Sequence, residues 1–173
     1  MDQPRREATP VEVAALLMDA VCNPSPKEQD AVRELAALVS ADAGRMQSEL
    51  MFLRSFAVDL ATNITLGETA ERDAILERYY GHWARIDQEV EGVMADMQAH
   101  LDLYTQTVTS AEADPVGLQD QLGHVFAHCC GAGDEGRDLV MLGGAMFGAF
   151  YAEIADLLQE VDIALPHQTR DQE

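Results

Sequence analysis

The chain has 173 residues, 47% of them hydrophobic, with 31 acidic against 11 basic side chains and a net charge of −20. That length fits one domain of about 100–200 residues whose core needs no disulfide or structural metal. A surface this acidic repels phosphate backbones and anionic lipid, so it argues against nucleic-acid and membrane-surface partners.

Few aromatics, eight methionines and no β-branched run of strand length read as helices packed on helices. The N-terminus (Met1-Asp2-Gln3-Pro4-Arg5-Arg6-Glu7) lacks an apolar signal region, and three cysteines is an odd number. The expectation is a cytoplasmic protein with reduced thiols. One all-helical domain spans 1–173, with frayed tails at 1–8 and 167–173.

Thr9-Pro10-Val11-Glu12 combines a capping hydroxyl, proline at the first helical position and glutamate three residues after the cap. The helix it opens, about 10–22, places Val13, Leu16, Leu17, Ala20 and Val21 on one face and stops at Asn23-Pro24. Ser25-Pro26-Lys27-Glu28 repeats the device. From it a long helix of about 26–66 carries the heptad row Val32, Val39, Met46, Leu53, Leu60, flanked by Ala36, Ala43, Leu50, Ala57 and Ile64. Ser40–Gly44 is its weak point, where a kink or break would fall, and Gly67 is its C-cap.

Thr69 caps a helix of about 70–109 with the row Leu76, Trp83, Val90, Met97, Tyr104. Two long helices joined by so short a link fold back antiparallel. Asp114-Pro115 starts a shorter helix to about Cys130, ended by Gly131-Ala132-Gly133. Asp134 opens the last, central helix, about 134–165. The predicted fold is therefore an all-α up-and-down bundle of about five helices built on the hairpin 26–66/70–109.

The uncharged run Leu139–Ala152 falls short of the about 20 residues a bilayer requires and reads as a core helix. Its wheel has a bulky face through Leu139, Val140, Leu142, Met146, Phe147 and Phe150. Opposite lies a small-residue ridge of Gly144, Gly148, Ala152 and Ala155. The ridge allows another backbone to approach closely, either within the chain or across a dimer axis.

Chemistry-bearing constellations are few. Asp120, His124 and His128 stand at four-residue steps, the spacing of a helical metal chelate. Their direction, opposite the Leu118/Leu122/Phe126 stripe, makes them a water-facing pair. No Glu-x-x-His pair exists for a di-iron site, Asp96…His100 having the wrong spacing. His100 lies on the core seam as a hydrogen-bonded residue or a ligand. Tyr80, His82 and Trp83 cluster around Gly81 as candidate pocket walls. Cys129-Cys130 is not a redox pair, and no phosphate loop, nucleophile elbow or zinc-finger spacing occurs.

These observations favour a protein acting by interaction, as an assembly, adaptor, chaperone-like or regulatory homodimer, because the long helices present more apolar seam than the others cover. A small-molecule-binding bundle is the alternative and a metal-dependent enzyme a more distant one. No cofactor is called for.

Overall fold

Side-chain caps decide where the helices begin. In the computed structural model, which describes residues 5–110, 115–131 and 136–165, α1 (Pro10–Cys22) starts at Thr9. The Thr9 hydroxyl accepts from the Glu12 backbone N–H at 3.3 Å while the Glu12 carboxylate accepts from the Thr9 N–H at 2.8 Å. The two bonds satisfy donors that a helix N-terminus otherwise leaves unpaired. Its inner face is Val13, Ala14, Leu17, Met18 and Val21; Leu16, expected there, is exposed.

The helix expected over 26–66 is two helices, α2 (Pro26–Leu38) and α3 (Ala43–Leu66). The break has a local cause within the weak stretch. Ser40 takes a left-handed conformation (φ 55°), and the Ala41 N–H reaches back to the Ala36 carbonyl at 2.9 Å, a Schellman-type ending. Asp42 then caps α3, accepting from the Arg45 N–H at 2.6 Å.

The helix expected over 70–109 is also divided, into α4 (Ala70–Glu89) and α5 (Val93–Ser110). Gly92 has φ 88°, and the Asp87 carboxylate accepts from the Met94 N–H at 2.9 Å across the joint. The joint matters for direction. Phe52 of α3 stacks on His100 of α5, and one turn further Phe56 stacks on Tyr104, so α3 and α5 run alongside each other in the same sense. An unbroken 70–109 helix folded back on α3 would meet it in the opposite sense.

The remaining helices are α6 (Pro115–Cys129) and α7 (Arg137–Glu160). α7 ends before the expected Leu165 because Val161–Ile163 (β2) pairs in parallel with Arg6–Ala8 (β1), Arg6 opposite Val161 and Ala8 opposite Ile163. Residues 6–8, expected to fray, are thus tied into a two-stranded ribbon. The expected caps Asp114 and Asp134, the turn residues Ala132-Gly133 and the tail 167–173 lie outside the described residues. The protein is an all-α helical bundle apart from that ribbon. α7 packs chiefly on α6 and α3, α1 on α4, and α3 on α5. Trp83, Tyr79, Tyr104, Phe56 and Phe126 are fully buried.

α7 is long and apolar enough in composition to cross a membrane, although its uncharged run alone is short. In the bundle Leu139, Val140, Gly143, Gly144, Phe147, Phe150, Ile154 and Leu158 are buried. It is not gripped on every side: Met141, Ala145, Ala149 and Ala152 are exposed. The small-residue ridge makes its close contact within the chain, against α6, and the contact stops short of Ala152. A Cβ on Gly144 would lie 2.6 Å from the Gln119 backbone oxygen, and one on Gly123 would collide with the Val140 carbonyl. A Cβ on Gly148 meets only the end of the Gln119 side chain.

Two outcomes follow for stability, both measurable by chemical denaturation. Gly123→Ala and Gly144→Ala force backbone apart and should each cost about 1–3 kcal/mol. Gly148→Ala, where a flexible amide moves and helix propensity improves by about 1 kcal/mol, should come out near neutral; equal losses at all three would sink the backbone-contact account. Ser40→Gly should raise stability by up to about 1 kcal/mol by removing the left-handed Cβ penalty, and a loss there would contradict the helix ending described above.

Candidate metal centre

Three side chains that carry metal-binding chemistry converge where α3, α5 and α6 meet. A carboxylate oxygen of Glu49, an imidazole nitrogen of His100 and the Cys129 thiol sulfur all lie within 4.8 Å of one another. Each arrives by a different local rule. Glu49 sits between Met46 and Leu53 on the inner face of α3, a position the helix period buries, and is only 7% exposed. His100 stacks on Phe52 with ring centroids 4.4 Å apart. Cys129 is the last residue of α6, and Gly131, at φ 81°, turns the chain away behind it.

The His100 ring is oriented from behind. Nδ1 lies 2.7 Å from the Asp96 carbonyl oxygen one turn back, so in the neutral ring Nδ1–H donates and Nε2 carries the free lone pair. Nε2 is 2.9 Å from Glu49 Oε2, an ion-pair contact when the ring is protonated. Hydrogen bonding to Cys129 and then to Glu49 pushes the imidazole up to about 10, against the opposing effect of burial. Burial, followed by the Glu49 charge, pushes the Cys130 thiol up to about 12.

Tyr104, one turn beyond His100, completes the surroundings. Its hydroxyl is buried without a hydrogen-bond partner, and its ionisation is pushed well above the ordinary phenol range by burial and then by Cys129 and Glu49. Arg45 reaches the rim, its guanidinium 3.2 Å from where a Cβ on Gly131 would stand. Cys129 and the His100 ring are partly exposed, which gives the cluster a route from solvent.

The other candidates from the sequence stand apart from this cluster. Asp120 and His124 face water 3.6 Å apart, each more than two-thirds exposed, and His128 is exposed as well. Among the described residues only Glu49, His100 and Cys129 form a three-ligand group. Tyr80, His82, Trp83 and His100 have separate surroundings among the described residues. Tyr80 donates to Asp59 at 2.5 Å; Trp83 is fully buried beside Tyr79, whose hydroxyl donates to Ser55 at 3.0 Å. His82 is half-buried between them in sequence, while His100 belongs to the cluster above. None of the four lines the clefts beside Arg54, Arg5 or Leu103.

Comparison with protein-family models, with curated proteins and with solved structures found no match to the chain.

The raised imidazole makes a pH prediction for metal-free protein. Folding favours protonated His100, so its contribution is complete below about pH 6.5 and is lost as pH rises through about 10. Thermal stability should fall over that window in the parent and fall less in Glu49→Gln. A His100 ring that titrates near its ordinary 6.5 by NMR would overturn the account.

Proposed function

We propose that the protein binds a divalent transition-metal ion, Zn²⁺ by preference, through Glu49, His100 and Cys129. The observation that carries this reading is the convergence of carboxylate, imidazole and thiol in the interior. Mixed N, S and O donors suit Zn²⁺ better than the all-oxygen sites of Mg²⁺ or Ca²⁺. A tetrahedral ion with ligands at about 2.0–2.3 Å holds its donor atoms about 3.3–3.8 Å apart, within the span of this cluster. The Asp96 carbonyl on Nδ1 is the outer-shell contact that metal-binding histidines use to aim Nε2. Three protein ligands leave a fourth position for water or an exogenous ligand, the pattern of reactive or responsive zinc sites. A thiolate ligand also requires a reducing compartment such as the cytoplasm, which accords with the three free cysteines.

Cobalt substitution tests the proposal. A single equivalent of Co²⁺ should produce visible d–d bands and a near-ultraviolet sulfur-to-cobalt band. Both should vanish in Cys129→Ser and His100→Ala, weaken in Glu49→Gln and persist in Cys130→Ser and His124→Ala. Zn²⁺ at about 100 times its Kd should stabilise the fold by about 2.7 kcal/mol. Wild-type protein that takes up neither ion, or a spectrum unchanged in His100→Ala, rules the site out.

Self-association is a second reading, supported by Met141, 64% exposed beside the small residues Ala145 and Ala149 on α7. Of the expected long seams, Trp83, Met97 and Tyr104 are covered within one chain, while Val90 and Ile64 are exposed. This reading requires a dimer by light scattering that chelator leaves intact.

A further inference from the structure

A second built feature lies on the same helix, five residues beyond Glu49, and shares no residue with the metal cluster. Arg54 of α3 is 6% exposed. It forms an ion pair with Glu28 of α2, and its guanidinium sits over the Phe150 ring of α7, 5.5 Å from the centroid. Its Nε–H has no acceptor. The charge of Glu153, one helix over, also acts on it. These groups line a half-open cleft of about 270 Å³ between the α1–α2 turn, α3 and α7, whose other walls include Ala20, Pro24 and Met146.

We propose that this cleft binds a free α-amino acid with an apolar side chain. The charge pattern selects the class. One buried cation and two carboxylates stand around an apolar wall, so the cleft offers both signs within a small space. A simple anion is repelled by Glu28, Glu153 and the acidic surface as a whole. A simple amine leaves the Arg54 donor without an acceptor. A zwitterion presents its carboxylate to the Arg54 guanidinium and its ammonium to Glu153, while its side chain lies along Phe150 and Met146. Arginine suits the carboxylate half because its planar fork donates in a fixed geometry. The volume lies at the small end of ligand sites, which matches a ligand of this size. Glu28 keeps Arg54 neutralised when the cleft holds no ligand.

Thermal shift and calorimetry with L-leucine, L-methionine and L-phenylalanine test the proposal on the full chain. At least one should raise Tm in a saturable way, whereas 4-methylpentanoate, which lacks the ammonium, and isopentylamine, which lacks the carboxylate, should not. Arg54→Met leaves Glu28 unpaired and risks unfolding, so the deciding variant is the exposed Glu153→Gln. It should keep the parent Tm without ligand and weaken amino-acid binding by about tenfold. Prior treatment with a chelator should leave the shift unchanged, which separates this cleft from the metal cluster. No response to any of the three amino acids, an equal response to isopentylamine, full binding in Glu153→Gln, or loss of binding with chelator would each overturn it.

Discussion

The close approach of α6 to α7 is the constraint from which the rest of the arrangement follows. Gly123 and Gly144 let the two backbones touch where a single methyl group has no room. Glycine inside a helix costs about 1 kcal/mol relative to alanine, a cost offset by the dense contact that only glycine permits. With α6 drawn against one side of α7, the Phe147 ring on another side stacks on Phe56 of α3, which also stacks on Tyr104 of α5. The glycine seam and the ring stack together link α6, α7, α3 and α5 in turn. Cys129 thereby ends up beside residues far from it in sequence.

α3 is the helix that accepts polar groups into this core. Glu49, Arg54, Ser55 and Thr62 are all buried on it, and a buried charge is tolerated only with a partner. His100 serves Glu49, Glu28 serves Arg54, and Tyr79 serves Ser55. Well-packed apolar residues in place of such ion pairs are often as stable or more so. Net stability is therefore a poor explanation for two opposite charges five residues apart on one core helix. The metal and amino-acid sites proposed above would account for both charges.

The parts legible in the sequence are those decided locally. Thr9, Ser25 and Thr69 act as caps because a hydroxyl three residues before a backbone N–H needs nothing distant, and Ser40–Gly44 gave way where its composition is weak. The Val90–Gly92 joint was hidden because the heptad row runs straight through Val90, and the Asp87 contact that stabilises the joint spans seven residues. The ribbon was hidden because three-residue strands exist only through a partner at the opposite end of the chain. His100 stood out as a seam histidine, but its partners lie on two other helices. Glu49 did leave a readable sign: an acid at the position, three after Met46 and four before Leu53, where the helical period calls for an apolar residue. His124 and His128 show the converse, since a good chelating interval on the wet side of a helix belongs to no compact three-ligand group among the described residues.

The setting of the proposed metal cluster favours positive charge in two ways: the Glu49 carboxylate is buried beside His100, and a helix ends there. Cys129 is the last residue of α6, where the helix dipole favours positive charge. The proposed Zn²⁺ would bring two positive charges to a carboxylate, a thiolate and a neutral imidazole, which sum to zero, so filling the proposed site would leave no uncompensated charge in the protein interior.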